Sequence, residues 1–368
     1  MATALKDLYS PEFIASFAAM AQQVVPELDI AAFQNEVLDA AWPARELKQR
    51  SGHLASVLHR FLPGAYPQQV ATLLEVVEVL RARGTGDNHF PYIFLPDFLA
   101  QFGLEEPEIS LAAMEPLTQF ISCEFAVRPF LLLHPGQVLA RMLEWSRHAH
   151  PHVRRFASEG CRPRLPWGAS IPALIKDPSP VLPILENLKA DPSLFVRKSV
   201  ANHLNDLSKD NPELVRQLAR RWKGGPPETE WILRQGCRTL LKKADPFIYQ
   251  LFQLQEAADC RVSGLQLEPP AIRIGQRLGF SFTLCLSGND PQPLRIGYAI
   301  DYVRAGGRTA RKLFHLARET YEPGKPYTFS RTQRFQDFTT RRHFPGRHRI
   351  AILVNGKERG EAFFELGG

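Results

Sequence analysis

Two glutamates in unusual surroundings are the residues of this sequence best suited to chemistry. Glu124 lies in PLTQFISCEFAVRPFLLLHP, which reads as a helix apolar almost all round. Glu159 lies in RRFASEGCRPRLPW. A carboxylate in an apolar setting needs a partner or a task, such as taking a proton or facing a developing positive charge. The plain alternative is pairing along a helix, Glu124 with Arg128 at i+4 and Glu159 with Arg155 at i−4. The stretch after Glu159, EGCRPRLPW, is the most irregular in the chain. Gly160 predicts a helix end, and Pro163 and Pro166 stiffen the loop beyond it. Arg162, Arg164 and Trp167 are therefore expected outside regular structure. Arginine suits phosphate through paired hydrogen bonds, and an indole offers a flat face to a sugar, a base or a cation. Equally open is Trp167 packed under the loop as a core anchor.

The elements that must position these residues read as helices over 1–260. Apolar residues recur at helical spacing in PQQVATLLEVVEVLRAR (67–83) and PGQVLARMLEWSRHA (135–149). Loops such as RGTGDNHFP (83–91) and KGGPPETE (223–230) separate them. A repeat emerges near residue 150. Val153-Arg154-Arg155 aligns with Val196-Arg197-Lys198 and with Leu233-Arg234-Gln235, at offsets of 43 and 37 residues. A period near 40 with a turn opening each helix is the signature of HEAT-type helix pairs, which stack into a solenoid. In this alignment Glu159 falls on Asn202 and Thr239, so the solenoid itself does not need a carboxylate there. Arg154, Arg155, Arg197, Lys198, Arg234 and Arg238 recur on the repeat helices. On an inner face they would track a phosphate backbone; the alternative is that they cap helix ends or pair with acids.

From about residue 262 the texture becomes that of strands. VSGLQLEPPAIRIGQRLGFSFTLCLSG, RIGYAIDYVRAGG, PYTFSRTQRF, HRIAILVNG and GEAFFEL alternate apolar and polar residues. The Asn355-Gly356 pair between ILV and AFF predicts a tight hairpin. Six or seven short strands predict an antiparallel sandwich of immunoglobulin-like type, without the Cys-Trp-Cys pattern of antibody domains. The expected architecture is multidomain, α then β. A solenoid of HEAT-like repeats over 1–260, binding and catalytic, precedes a β-sandwich over 261–368.

Composition narrows the function. The chain has 368 residues, 44% hydrophobic and 23% charged, as in an ordinary soluble globular protein. It has no apolar run long enough for a transmembrane helix and no secretory start, so neither a membrane partner nor export is expected. Five cysteines without a CxxC spacing argue against disulfides and structural zinc. A reduced cytoplasmic protein, without metal or cofactor and acting as a monomer, is expected. Residues 1–140 hold 8 Lys/Arg against 16 Asp/Glu, and the rest of the chain holds 37 against 22. That asymmetry suggests a polyanion partner, although a bland basic surface fits too. HAHPH (148–152) completes no metal pattern, and GTG (84–86) is no phosphate loop. RAGGRTARK (304–312) reads equally as a nucleic-acid contact or a solvated hairpin.

CEFAVRPFL, HPHVRRFASEGCRPRLPW and DPSLFVRKSVANHLNDL resemble the AlkC family of bacterial DNA alkylation repair glycosylases, in the HEAT-like superfamily that also contains AlkD. The resemblance spans about residues 5–260, and some members carry an immunoglobulin-like addition like 262–368. It implies hydrolysis of the N-glycosidic bond of cationic methylated bases, chiefly 3-methyladenine and 3-methylcytosine, in duplex DNA near the nucleoid, without base flipping. It implies that Glu124 and Glu159 are the active-site carboxylates and Trp167 an aromatic beside the lesion's sugar. The basic residues of the VRR and VRK turns become backbone contacts. Competing readings are a non-catalytic HEAT scaffold for nucleic acid or protein, and an enzyme acting on modified RNA.

Overall fold

The computed structural model describes residues 4–85, 90–254, 260–338 and 342–368. Gly86, the last residue of the GTG motif, lies outside the described residues. Packing divides the chain into two compact units, Met1–Val215 with Trp222–Gly236, and Arg216–Arg221 with Cys237–Gly368.

The first unit is helical throughout. Its early helices start where the sequence provides caps: Ser10 Oγ accepts the Phe13 N–H at 3.2 Å, and Asp29 Oδ1 accepts the Ala32 N–H at 3.0 Å. The three repeat motifs open the helices Pro151–Glu159, Leu194–Asp210 and Pro227–Gly236. The first begins on a histidine turn, with His150 Nδ1 accepting the His152 N–H at 3.3 Å. The middle helix packs against the other two, burying Val196, Val200 and Leu204. Gly236 is required for that approach, because a Cβ there would stand 2.6 Å from Leu204 Cδ2.

The apolar run around Glu124 is not one helix. The helix Pro107–Phe120 ends at Phe120, Ile121 is extended, and a new helix runs over Val127–Leu133. The intervening turn is held by the Cys123 N–H on Thr118 Oγ1 and the Val127 N–H on the Cys123 carbonyl. Glu124 stands in this turn, so the alternative i+4 pair with Arg128 does not form.

In the second unit the chain turns from helix to strand at Cys260, as the alternation predicted. The short helices Arg238–Lys242 and Pro246–Leu251 nevertheless belong with the strands rather than with the solenoid. Their apolar residues explain it: Ala244 and Tyr249 close over Gly356, and Phe252 lies 4.4 Å under the Arg318 guanidinium. The strands are β1 (Cys260–Glu268), β2 (Ala271–Arg273), β3 (Arg277–Leu286), β4 (Gln292–Val303), β5 (Thr309–Tyr321), β6 (Pro326–Arg334), β7 (Gly346–Val354) and β8 (Lys357–Gly367). They form two sheets, β1-β3-β6 and β2-β8-β7-β4-β5. All pairings are antiparallel except β2 with β8. Alternate residues of β3, from Leu278 to Leu286, meet Ile296, Ile300, Ile350 and Ile352 in one core. Asn355 (φ 46°) and Gly356 (φ 81°) both take the positive φ that a two-residue hairpin turn demands. The RAGG segment is the turn between β4 and β5.

Candidate active site

The two glutamates converge on one guanidinium. Arg155, on the helix Pro151–Glu159, donates through Nη1 to Glu124 Oε2 and to Ser122 Oγ, the latter at 2.6 Å. Its Nη2 lies 3.7 Å from Glu159 Oε1, one turn further along the same helix. Ser122 Oγ in turn donates to Glu124 Oε2 at 2.6 Å. Glu124 is therefore pinned through one oxygen. Its Oε1 has no hydrogen-bond partner among the described residues, and the side chain stays partly open to solvent.

Glu159 differs. It is only 6% exposed, and both its oxygens are taken. Arg162 Nη1 donates to Oε1 at 2.6 Å, and Ser199 Oγ, on the facing helix Leu194–Asp210, donates to Oε2 at 2.6 Å. Arg162 also binds Asp206 at 2.7–2.8 Å, and Asp206 binds Lys209 at 2.8 Å. The result is a chain of alternating charges, Glu124–Arg155–Glu159–Arg162–Asp206–Lys209. Burial pulls the Arg162 guanidinium down, but the carboxylates of Glu159 and Asp206 more than reverse this, so it stands above its ordinary pKa.

His203, on the same helix, is completely buried and bonds the Ser158 carbonyl through Nδ1 at 3.0 Å. Burial, reinforced by the Arg162 charge, lowers its pKa to about 4, so it is neutral near pH 7.

Trp167 is not a core anchor: it is 64% exposed and has φ 66°. It closes the Leu165–Gly168 turn, and its carbonyl accepts Lys48 Nζ. Trp167 is among the residues lining a cavity of about 270 Å³, with Lys48, Asp97, Ser122 and Phe125. Ser122 links this cavity to the Glu124–Arg155 pair.

The expected phosphate contacts divide. Arg162, expected as a free phosphate contact, is instead buried at 5% exposure with its guanidinium engaged by Glu159 and Asp206. Arg154 is tied to Asp191 through Nε and Nη2 and to two backbone carbonyls. Arg164 is exposed but paired through both Nε and Nη2 with Asp210, whose carboxyl these bonds hold below its ordinary pKa. Arg197 donates to the Asp191 and Pro192 carbonyls and lies 5.9 Å over Trp231. Lys198 and Arg234 are exposed on their repeat helices. Arg238 falls beyond the break at Gly236, in the second unit, so the third copy of the motif is shorter than the alignment implied, and Thr239 is not on its helix.

Ser122, Ser199 and Asp206 went unnoticed in the sequence. One signal was available for two of them. Arg154–Asp191, Glu159–Ser199, Arg162–Asp206 and Arg164–Asp210 are all separated by roughly one repeat, 37 to 46 residues. Ser122 carries no such mark.

A family model described as a DNA alkylation repair enzyme matches residues 117–240, the stretch that holds this whole cluster. Another, described as the C-terminal Ig-like domain of the uncharacterised protein YhaZ, matches 261–368. The chain is 40% identical over 362 residues to the uncharacterized protein YhaZ of Bacillus subtilis (strain 168), covering 98% of this chain and 99% of that one. Among solved structures it matches Pseudomonas fluorescens alkylpurine DNA glycosylase AlkC bound to DNA containing an abasic site analog. The identity is 39%, the TM-score 0.91, and the coverage 100% of both chains. The chain belongs to the AlkC family of DNA alkylation repair enzymes.

Within that family frame the site is compact. The expected AlkC carboxylates meet through Arg155, and the expected AlkC aromatic is among the residues lining the adjoining cavity. Among the described residues no group of three or more His, Cys, Asp or Glu side chains is arranged to hold a metal ion. No helix among them is long and apolar enough to cross a membrane.

Proposed function

We propose that this protein is a DNA glycosylase that hydrolyses the N-glycosidic bond of cationic alkylated bases, 3-methyladenine and 3-methylcytosine, in duplex DNA. The full-length likeness to a DNA-bound glycosylase carries this reading. A methylated cationic base leaves easily: the C1′–N bond breaks, and its electron pair neutralises the base. What the site must supply is a negative group beside the oxocarbenium-like sugar and a proton acceptor for the attacking water. Glu124 suits both tasks, because Oε2 is fixed by Ser122 and Arg155 while Oε1 is free. Glu159 acts from behind Arg155, holding it and Arg162 in place. Trp167 offers its exposed face to the sugar. The lesion is read as staying in the helix rather than lodging in a pocket.

Replacing Glu124 with Gln keeps the shape and removes the charge. Release of 3-methyladenine from methylated duplex DNA is expected to fall about 100-fold or more. Near-normal release by Glu124→Gln would overturn the role of Glu124, and no release by the parent protein would leave a DNA-binding scaffold. A methylated RNA duplex assayed in parallel separates the two nucleic acids.

A further inference from the structure

Arg128 is the most buried cation described in the chain, at 1% exposure, and none of its bonds goes to a carboxylate. Nη1 donates to the carbonyls of Gly160 and Arg162, at 3.0 and 2.9 Å, and Nε donates to the carbonyl of Ala169. All three acceptors belong to the segment that leaves Glu159 and carries Trp167. A guanidinium is suited to this, since its planar fork serves several carbonyls at once. Gly168 packs against it so closely that a Cβ there would meet Arg128 Cδ at 3.0 Å and Nε at 3.2 Å. Arg128 itself sits in the first turn of Val127–Leu133, directly after the turn that presents Glu124. One side chain thus spans the Glu124 turn, the end of the Glu159 helix and the Trp167 loop.

The cost of this placement is evident. Burial lowers the Arg128 pKa to about 10, and its Nη2 has no partner among the described residues. Trp167 meanwhile holds a positive φ that an L side chain adopts only when its surroundings impose it.

We propose that Arg128 is a positioning residue for the reaction, which holds the Trp167 loop in place relative to the Glu124 turn and the end of the Glu159 helix through the carbonyls of Gly160, Arg162 and Ala169. This rests on the reading of the chain as a glycosylase. Misplacing a reacting group by about 1 Å is enough to cost about 100-fold in turnover.

The test uses Arg128→Lys, which keeps the charge and loses the fork, and Gly168→Ala, which keeps Arg128 and wedges its seat. Either variant is expected to lower kcat for methylated-base release about 10- to 100-fold with KM within about 2-fold of the parent. In a Trp167→Ala background, which has no ring to place, the same changes are expected to lower kcat much less, because Arg128 acts through that ring's placement. Acrylamide quenching of Trp167, taken as the difference between each protein and its Trp167→Phe counterpart, reads the loop without any activity and is expected to change. If quenching is unchanged, or if the kcat losses are equal in both backgrounds, the proposal is overturned. A chain that releases no base while its quenching responds to Arg128→Lys would sink the glycosylase reading and leave the loop anchor standing.

Discussion

Glu124 and Glu159 have the same side chain and opposite situations, and substitution should separate them. Glu159→Gln leaves Arg162 short of one of its two buried counter-charges. Breaking such a pair costs on the order of 3 kcal/mol. Glu124 has a free oxygen and solvent beside it, so Glu124→Gln is expected to cost about 1 kcal/mol. Urea unfolding of the two variants should show that ordering, with base release low in both. Trp167 allows a second residue-level test. Both Trp167→Ala and Trp167→Gly remove the ring, but only alanine keeps the cost of φ 66°. The glycine variant is expected to be more stable than the alanine variant by about 1 kcal/mol, read by urea unfolding, with activity equally impaired.

At the scale of elements, the helix Leu194–Asp210 is the spine of the site, since it supplies Ser199, His203 and Asp206. His203 gives it a pH dependence. Its pKa in the folded protein is about 4 against about 6.5 in an unfolded chain. The unfolded state binds the proton more readily, so the stabilising contribution is full above pH 6.5 and is lost as the pH falls toward 4. Between pH 7 and 5 the parent is expected to lose about 2 kcal/mol more stability than His203→Gln. Urea titrations at the two pH values check this; equal losses would contradict it. The helices and strands themselves were legible because their periods of 3.6 and 2 are written in the order of apolar residues, as in 135–149 and along β3. The Glu124 turn was not legible, because ISCEFAVR holds no glycine or proline and its apolar residues carry straight through the break. The Arg128 bonds escaped for a related reason: they end on carbonyls, which leave no trace in side-chain identity. The border of the second unit escaped because Tyr249 and Phe252 look like ordinary helix residues until their packing is known.

At the scale of the whole molecule, the surplus of positive charge after residue 140 is less available than a count suggests. Arg154, Arg162 and Arg164 are each engaged by a carboxylate about one repeat away. Binding of the full chain to duplex DNA should therefore depend on salt through fewer cations than the sequence contains. Lys198→Ala and Arg234→Ala are each expected to lower the slope of log affinity against log salt by about 1. Arg154→Ala is expected to leave the slope alone and reduce thermal stability instead. Equal slopes for Lys198→Ala and the parent would remove Lys198 from the contact.

Six ionised groups joined end to end, from Glu124 to Lys209, carry no net charge as a set, and each interior one answers to a neighbour on either side. Its buried members Glu159, Arg162 and Asp206 cannot drift one at a time, since losing any of them alone strands a charge away from water. In descendants of this gene, changes at those three positions ought to arrive as matched acid–base pairs or not at all.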